Sequence, residues 1–406
     1  DGVYAANLSG AATGPVSVTL GGSITTGGAG VNAVNNGAGA VNVTTGAGSQ
    51  IDGGTTGVRM VSYGGTITAQ LDGDIGSTVA PTNYGVLSLG GNVVDLTLNG
   101  DVHTGGTGVA VSVSGNDSDV TVTTGADSDI VSSNNGIRVF NNGVGDNDTT
   151  IVVNGSINSG SADAILAFSN ASAGTVDITV NGDLQTTGRG VYARNQGGDV
   201  NVTFGAGSSV SGDAFYGVRA FAMAGGDLNF DVGGTIGSAA NPVGVGFQGG
   251  AYGIGVMATV DITGAVYGFG IMRVSGADSD IHADVSGLMS GALVLSSSAN
   301  GDSDITADIS GTLVGTTVGL RAMTYSATST GDIDIDFTGS FTGTGTAISV
   351  IQAASGAVTI TTGDALGVGG DIAGTATNGI DASSSGGSIN VDVRGDIGTA
   401  GDRGSN

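Results

Sequence analysis

The sequence lacks cysteine, tryptophan, lysine and glutamate altogether, and it has only three prolines among 406 residues. Without cysteine there is no disulfide framework and no thiolate-based zinc site. Without lysine there is no Schiff-base nucleophile. Because lysine and glutamate are good helix formers, their absence disfavours helices. The 81 glycines and the abundant Val, Ile and Thr instead suit turns and pleated strands.

The charge is strongly of one sign: all 35 acidic residues are Asp, all nine basic residues are Arg, and the net charge is -26. This balance argues against a nucleic-acid partner and against anionic membrane surfaces, because both need basic stripes. It favours solubility, self-repulsion and attraction of cations. A Gly-rich acidic chain could also be disordered, but the 39% hydrophobic content and its regular alternation argue against that.

The sequence repeats itself about every 27 residues, which gives about fifteen copies. Each copy contains three short alternating runs separated by Gly-rich turns, such as GVYARNQGG, DVNVTFGAG and SSVSGD. A unit this short cannot bury its own apolar face, so it must stack on copies of itself. The copies begin at Gly2, Gly30, Gly57, Gly85, Gly108, Gly136, Asp163, Gly190, Gly217, Gly244, Gly268, Gly291, Gly319, Ala347 and Gly379.

The alternation within each run predicts one inward and one outward set of side chains. Three strands with sharp turns would close one triangular coil, and the next coil would pair with it in parallel about 4.8 Å further on. We therefore predict an all-β fold, a right-handed parallel β-helix of about fifteen three-strand rungs; the handedness follows the usual preference of parallel crossovers. The third run supplies one inward apolar residue per coil: Ile24, Ile51, Ile75, Val102, Ile130, Ile157, Leu184, Val210 and Ile236.

The domain prediction is a single β-helix over residues 1–406. The first residues, DGVYAANLSG, already match the strand in GVYARNQGG, so we expect a fragment of a longer repeat array. The unit from Ala347 is long, and the string GDALGVGGDIAGTATN predicts an inserted loop at 363–378. Insertions at one corner of a solenoid are where binding elements usually occur.

Aspartates recur at fixed outward positions of the second run in the later copies. Stacked carboxylates about 4.8 Å apart repel by roughly 1 kcal/mol per neighbouring pair in water-like surroundings. Two interpretations stay open: calcium sites, since oxygen-only ligands suit Ca²⁺, or a solvated acidic face with counterions. No other cofactor is expected. The first column contains Asp231, Asp261, Asp284, Asp308 and Asp336, and the second contains Asp280, Asp304 and Asp332.

The outward position after the first apolar residue of a unit often holds Arg or Tyr. Such side chains on a flat sheet face can recognise glycans or proteins. The alternative is that they are scattered exposed residues that limit lateral aggregation. The residues in this row are Tyr4, Arg59, Arg138, Tyr192, Arg219 and Arg321.

Enzyme chemistry has little support in the sequence. The only histidines, His103 and His282, lie many repeats apart. A Ser-His-Asp arrangement would need one of them beside suitable partners on a neighbouring rung. We therefore predict no catalytic residues and no enzyme, although Asp pairs on a β-helix leave polysaccharide cleavage open.

The strings GVYARNQGGDVNVTFGAGSSVSG, GTVDITVNGDLQTTGRG and GAVNVTTGAGSQIDGG resemble the passenger region of Gram-negative autotransporters, particularly the alphaproteobacterial kind. The resemblance spans essentially the whole chain and rests on repeat texture. It implies an extracellular location, either anchored at the outer membrane or released, without membrane insertion of this segment. It also implies a β-helical stalk that is often adhesive. No catalytic residues carry over.

The leading hypothesis is therefore an extracellular structural and adhesive stalk of a bacterium. Its partners would be host or bacterial surfaces, glycans or proteins. Two alternatives remain: a subunit that associates end to end into an extracellular filament, and a β-helical polysaccharide-degrading enzyme.

Overall fold

The computed structural model describes residues 1–170, 172–212, 215–374 and 378–398, and its regular structure consists of β-strands joined by turns. No helix among the described residues is long and apolar enough to cross a membrane. The chain divides into unit 1, residues 1–201 and 208–215, and unit 2, residues 202–207 and 216–406. Each unit is a parallel β-solenoid with three sheets, which confirms the predicted fold class; the handedness stays a prediction.

Unit 1 contains eight coils, and its strands are numbered along the chain. The first strands are β1 (Val3–Asn7), β4 (Ala29–Asn35), β7 (Thr56–Ser62), β10 (Tyr84–Gly90), β13 (Thr107–Val113), β16 (Ile137–Asn141), β19 (Ile165–Ser169) and β22 (Arg189–Asn195). The second strands are β2 (Val16–Leu20), β5 (Val41–Thr45), β8 (Ile67–Leu71), β11 (Val93–Leu98), β14 (Asp119–Thr124), β17 (Thr149–Val153) and β20 (Val176–Val180). The third strands are β3 (Ile24–Thr26), β6 (Gln50–Gly53), β9 (Asp74–Ile75), β12 (Val102–Thr104), β15 (Asp129–Ser132), β18 (Ser156–Ser159), β21 (Asp183–Thr186) and β24 (Ser209–Ser211).

Unit 2 contains seven first strands, so the two units together match the predicted number of repeats. These are β25 (Tyr216–Ala222), β28 (Val245–Tyr252), β31 (Phe269–Ser275), β34 (Leu293–Ser297), β37 (Val318–Thr324), β40 (Thr346–Gln352) and β43 (Ile380–Ser384). The second strands are β26 (Leu228–Val232), β29 (Met257–Ile262), β32 (Asp280–Val285), β35 (Ile305–Ile309), β38 (Ile333–Phe337), β41 (Val358–Thr362) and β44 (Ile389–Val393). The third strands are β27 (Thr235–Ile236), β30 (Ala265–Tyr267), β33 (Leu288–Ser290), β36 (Thr312–Gly315), β39 (Ser340–Gly343) and β42 (Asp371–Ala373); β23 (Val200–Phe204) begins in unit 1 and ends in unit 2.

The core of each unit is built from the inward side chains of successive strands. In the third sheet of unit 1, Ile51 pairs with Ile75 and Ile75 with Val102, and all three side chains are buried. Eight of the nine predicted inward residues of the third run are buried, and Ile24 in the first coil is half-buried. Burying one such aliphatic side chain stabilises the fold by about 1.5–3 kcal/mol.

The glycine that begins many coils is required by close packing. A Cβ atom at Gly57 would overlap the Cγ2 methyl of Ile75 and would approach the carbonyl oxygen of Gly85 to 2.6 Å. The φ angle of Gly57 is not positive, so the reason for glycine here is space between the first and third strands of a coil.

Buried amides close the turn between the first and second strands of several coils. Asn141 donates to the carbonyl oxygen of Ser118 at 2.7 Å, and Asn195 donates to that of Gly174 at 3.0 Å. Both side chains are fully buried, so these bonds satisfy turn carbonyls that water cannot reach.

The segment predicted as an inserted loop, 363–378, has two described parts. Residues 363–370 connect β41 to β42, and Asp364 accepts hydrogen bonds from the backbone N–H groups of Leu366 and Val368 at 2.8 and 2.9 Å. These bonds lower the pKa of Asp364. The strand β42 then pairs with β39, so residues 371–373 form part of the third sheet. Residues 375–377 lie outside the described part of the chain.

Candidate functional site

The two signs of charge are separated between the sheets. Seven of the nine arginines lie in first strands, whereas Asp381 is the one aspartate in the described first strands. The described second strands contain eleven aspartates and no arginine. The arginines are Arg59, Arg138, Arg189 and Arg194 in unit 1 and Arg219, Arg273 and Arg321 in unit 2.

The predicted Arg/Tyr row is one outward column within each unit. In unit 1 the strand register aligns Tyr4, Asn32, Arg59, Leu87, Ala110, Arg138, Leu166 and Tyr192. In unit 2 it aligns Arg219, Gln248, Ile271, Val294 and Arg321. The side chains of this row differ in exposure: Tyr4 is 57% exposed, whereas the arginines are only partly exposed.

A second outward column, two residues further along each first strand, was not predicted as part of the site. It places Phe140, Phe168 and Arg194 in register beside the first column. The ring centroids of Phe140 and Phe168 are 5.6 Å apart, and those of Phe168 and Tyr192 are 4.9 Å apart in an edge-to-face arrangement. We call the outward side chains of β16, β19 and β22 the arginine–aromatic patch: Arg138, Phe140, Leu166, Phe168, Tyr192 and Arg194.

Within the described residues, Arg138 and Arg194 form no salt bridge, and Arg138 lies against aromatic rings. The guanidinium carbon of Arg138 is 5.4 Å from the ring centroid of Phe140 and 5.8 Å from that of Tyr84, a distance range typical of cation–π contacts. Ala110, which pairs in register with Arg138 on the strand between Arg138 and Tyr84, is only 2% exposed although it faces outward. The Nε atoms of Arg138 and Arg194 are buried and have no hydrogen-bond partner among the described residues.

Arg189 shows what a paired arginine looks like on the same strand as Arg194. Its Nε and Nη2 atoms donate to the two carboxylate oxygens of Asp163 at 2.7 and 2.9 Å. Its guanidinium also lies 3.9 Å from the ring centroid of Tyr192. This bidentate pair holds Arg189 at the edge of the arginine–aromatic patch.

Arg59 borders a surface recess of about 380 Å³ on the same face of unit 1. Its Nη1 atom donates to Oδ1 of Asn32 at 2.9 Å, and Tyr63, also in the lining, is 74% exposed. In unit 2, Arg219 lies 5.5 Å from the ring centroid of Tyr216 and 5.1 Å from that of Phe221. Arginine beside aromatic rings is thus a feature of the first sheet in both units.

The structure aligns the first predicted acidic column exactly as the repeat requires. Asp231 pairs with Asp261, Asp261 with Asp284, Asp284 with Asp308, and Asp308 with Asp336. Burial raises the pKa of Asp261, the charges of Asp284 and Asp231 raise it further, and His282 opposes them. The second sheet is therefore a face on which like charges accumulate.

Asp334 is an acidic residue of this face that the sequence analysis did not include. It lies in β38 between Asp332 and Asp336, and burial together with Asp308, Asp336 and Asp332 raises its pKa. The alternating string DIDIDF contains the signal that could have identified it.

The second acidic column has a structural role. Each carboxylate accepts a hydrogen bond from a backbone N–H one coil further on: Asp280 from Asp304 at 2.9 Å, Asp304 from Asp332 at 2.7 Å, and Asp332 from Ala357 at 2.7 Å. The same bond joins Asp148 to the N–H of Thr175 in unit 1, at 2.8 Å. These aspartates satisfy backbone donors where the second strand begins.

Calcium binding stays a prediction. Within the described ranges, no group of three or more acidic or histidine side chains is arranged so that it could hold a metal ion. The two histidines belong to different units, His103 in β12 and His282 in β32. His282 pairs in register with Thr259 and Thr306.

In comparisons with known proteins, no family model matches the chain, and neither does any curated protein or solved structure. The geometry of the two charged faces is therefore the basis for a functional proposal.

Proposed function

We propose that this chain is an extracellular structural and adhesive protein that binds a target surface through the outward face of its first sheet. The observation that carries the proposal is that the first strands hold seven arginines, four in unit 1 and three in unit 2, together with several aromatic rings, in a chain with a net charge of -26. Arginine and aromatic side chains are the groups most enriched at the energetic centres of binding interfaces.

The architecture supports this proposal because the outward side chains are not needed to close the coils. The inward columns are apolar, and the strand ladders and buried amides satisfy the backbone. The face therefore presents its side chains from paired strands, which hold them with little conformational freedom and lower the entropic cost of binding. The proposed activity is binding, without catalysis.

The proposed location is the surface of a Gram-negative bacterium, anchored at the outer membrane or released. The support is the resemblance of the repeat texture to autotransporter passengers, together with a parallel β-solenoid in each unit. Host cells, other bacteria and surface glycans are the proposed partners.

The test is adhesion of the purified chain to immobilised bacterial and host cells and to a glycan array. We expect Phe168→Ala and Arg138→Gln to reduce binding at least several-fold, because both side chains lie in the arginine–aromatic patch. The control is Thr306→Ala, a partly exposed residue of the second sheet, which should leave binding unchanged. Binding that the Thr306 variant abolishes and the patch variants leave intact would contradict the proposal, as would no binding to any surface.

A further inference from the structure

The residue composition of the arginine–aromatic patch in unit 1 indicates the chemical class of its ligand. We propose that it binds a linear polysaccharide that carries carboxylate groups, that is, a uronic-acid polymer. This inference rests on the proposed function, since it identifies the ligand of the same adhesive face.

Arg138 and Arg194 lack an acidic partner among the described residues. The chain has 35 aspartates for nine arginines, so carboxylates are abundant. Even so, the two salt bridges between described residues are Arg189–Asp163 and Arg394–Asp392, and neither Arg138 nor Arg194 takes part in one. Two guanidinium groups that form no salt bridge with a described carboxylate are available for a carboxylate from outside.

A guanidinium group has a geometry that suits a carboxylate. Its planar fork of N–H donors matches the two oxygens of a carboxylate, and such bidentate pairs are among the strongest hydrogen-bonded contacts in proteins. The buried Nε atoms of Arg138 and Arg194 have lost water without gaining a partner. Because these Nε atoms are buried, a carboxylate from outside would bind through the Nη groups of the same two arginines.

Aromatic rings lie beside the two arginines in the patch. Phe140, Phe168 and Tyr192 lie on successive strands with neighbouring centroids 5.6 and 4.9 Å apart, so they form a continuous aromatic surface. A pyranose ring has C–H groups on its faces and hydroxyl groups at its edge. It can therefore place its apolar face on these rings while its carboxylate reaches an arginine.

The spacing of the patch suits a polymer. Arg138 lies in β16 and Arg194 in β22, two coils further on, so their strands are roughly 10 Å apart at about 4.8 Å per coil. Arg59 and its recess lie on the same face, three coils before Arg138. A chain that runs from coil to coil would meet successive arginines, whereas a small anion would meet one.

The aspartates of the second sheet disfavour binding of a polyanion there. The second sheet carries aspartates in its outward columns and would repel a uronate polymer. Binding should therefore weaken as salt is added, because the attraction acts between partly exposed charges.

The experiment measures binding of alginate to the full chain by isothermal titration calorimetry in EDTA, which removes calcium from both partners. The matched polymer is carboxyl-reduced alginate, which has the same backbone without charge. We expect alginate to bind and the reduced polymer to bind at least tenfold more weakly. Arg138→Gln combined with Arg194→Gln should also weaken alginate binding at least tenfold, with the circular dichroism spectrum unchanged.

The matched control is Arg394→Gln, which removes one positive charge from a residue already paired with Asp392. Its affinity for alginate should stay within twofold of that of the parent. The single variant Arg138→Gln should weaken alginate binding by more than twofold. Equal binding of the two polymers, or an unchanged affinity in the double variant, would overturn the inference.

The array separates this inference from the proposed function. A chain that adheres to cells or neutral glycans through the patch but ignores alginate refutes the uronate ligand and leaves the adhesive role intact. A chain that binds nothing on the array, the cells or alginate refutes both.

Discussion

The outward faces of the first and second sheets differ in chemistry although the strands of both sheets pair in parallel. On the first face, the guanidinium of Arg138 lies against Phe140 and Tyr84. On the second face, Asp261 lies between Asp231 and Asp284 in register, and its pKa is raised by burial and by these neighbours. The same backbone arrangement thus carries arginine side chains on one face and aspartate side chains on the other.

This separation teaches that folding alone does not explain the surface. Opposite charges on neighbouring strands would attract, whereas stacked carboxylates repel by roughly 1 kcal/mol per pair in water-like surroundings. The chain places its arginines where few of its aspartates are, so it forgoes attractive pairs that mixing would supply. A surface arranged at an energetic cost is one that binding explains better than stability.

The largest expected effect tests whether the core, and not the outward face, maintains the fold. Phe337→Ala removes a ring that is fully buried beneath the second face, and it should lower the free energy of unfolding by about 3–5 kcal/mol. Phe221→Ala, on the outward side of the first sheet in the same unit, should cost about 1 kcal/mol. Urea unfolding followed by circular dichroism measures both.

An equal loss of unfolding free energy in the two variants would contradict the distinction between core and outward face. The outward rings would then belong to the core, and the first face would not be free to bind a partner.

A smaller effect distinguishes hydrogen bonding from charge on the acidic face. Asp304→Ala removes the acceptor of the Asp332 N–H and should destabilise the protein by about 1 kcal/mol. Asp304→Asn keeps an acceptor oxygen and removes the charge, so its stability should equal or slightly exceed that of the parent. Equal destabilisation by both variants, measured by urea unfolding, would show that the charge itself is needed, as a bound cation would require.

The smallest effect concerns pH. The folded-state pKa of Asp261 is raised, so its protonated form favours folding. Its contribution to stability is fully present below the unfolded pKa of 3.8 and is lost as the pH rises through the folded pKa. At neutral pH, after solvent screening, Asp261→Asn should therefore raise the free energy of unfolding by about 0.5 kcal/mol.

This gain should disappear near pH 2.5, more than one unit below the unfolded pKa of 3.8, where both proteins carry an essentially uncharged group at this position. Unfolding midpoints of the two proteins at the two pH values measure it. A gain that persists at acid pH would mean that packing, and not repulsion by Asp231 and Asp284, limits stability here.

Much of the fold could be predicted because the same pattern of apolar and polar residues recurs in every coil. The inward column from Ile51 through Val102 and the acidic column from Asp231 to Asp336 both follow from alternation and spacing alone. The Arg/Tyr row followed from the same rule.

What could not be predicted depends on how side chains lean across coils. The sequence does not show that Arg138 reaches Tyr84 two coils away, or that Phe168 packs edge-on against Tyr192. Nor does it show that Asp304 bonds to the backbone of the next coil while Asp308 stacks on Asp336. These contacts join residues about 27 or 54 positions apart, and rotamers select among them.

The sequence by itself determined the stack: a repeating unit with no core of its own must bury its apolar residues against its copies. It also determined which residues face outward, because the side-chain period of a strand is two. Only the tertiary structure decided which outward groups meet. Parallel pairing brings residues that are distant in sequence onto neighbouring coils about 4.8 Å apart. At that distance, similar outward residues differ in what they contact: a ring, a backbone N–H group or no partner.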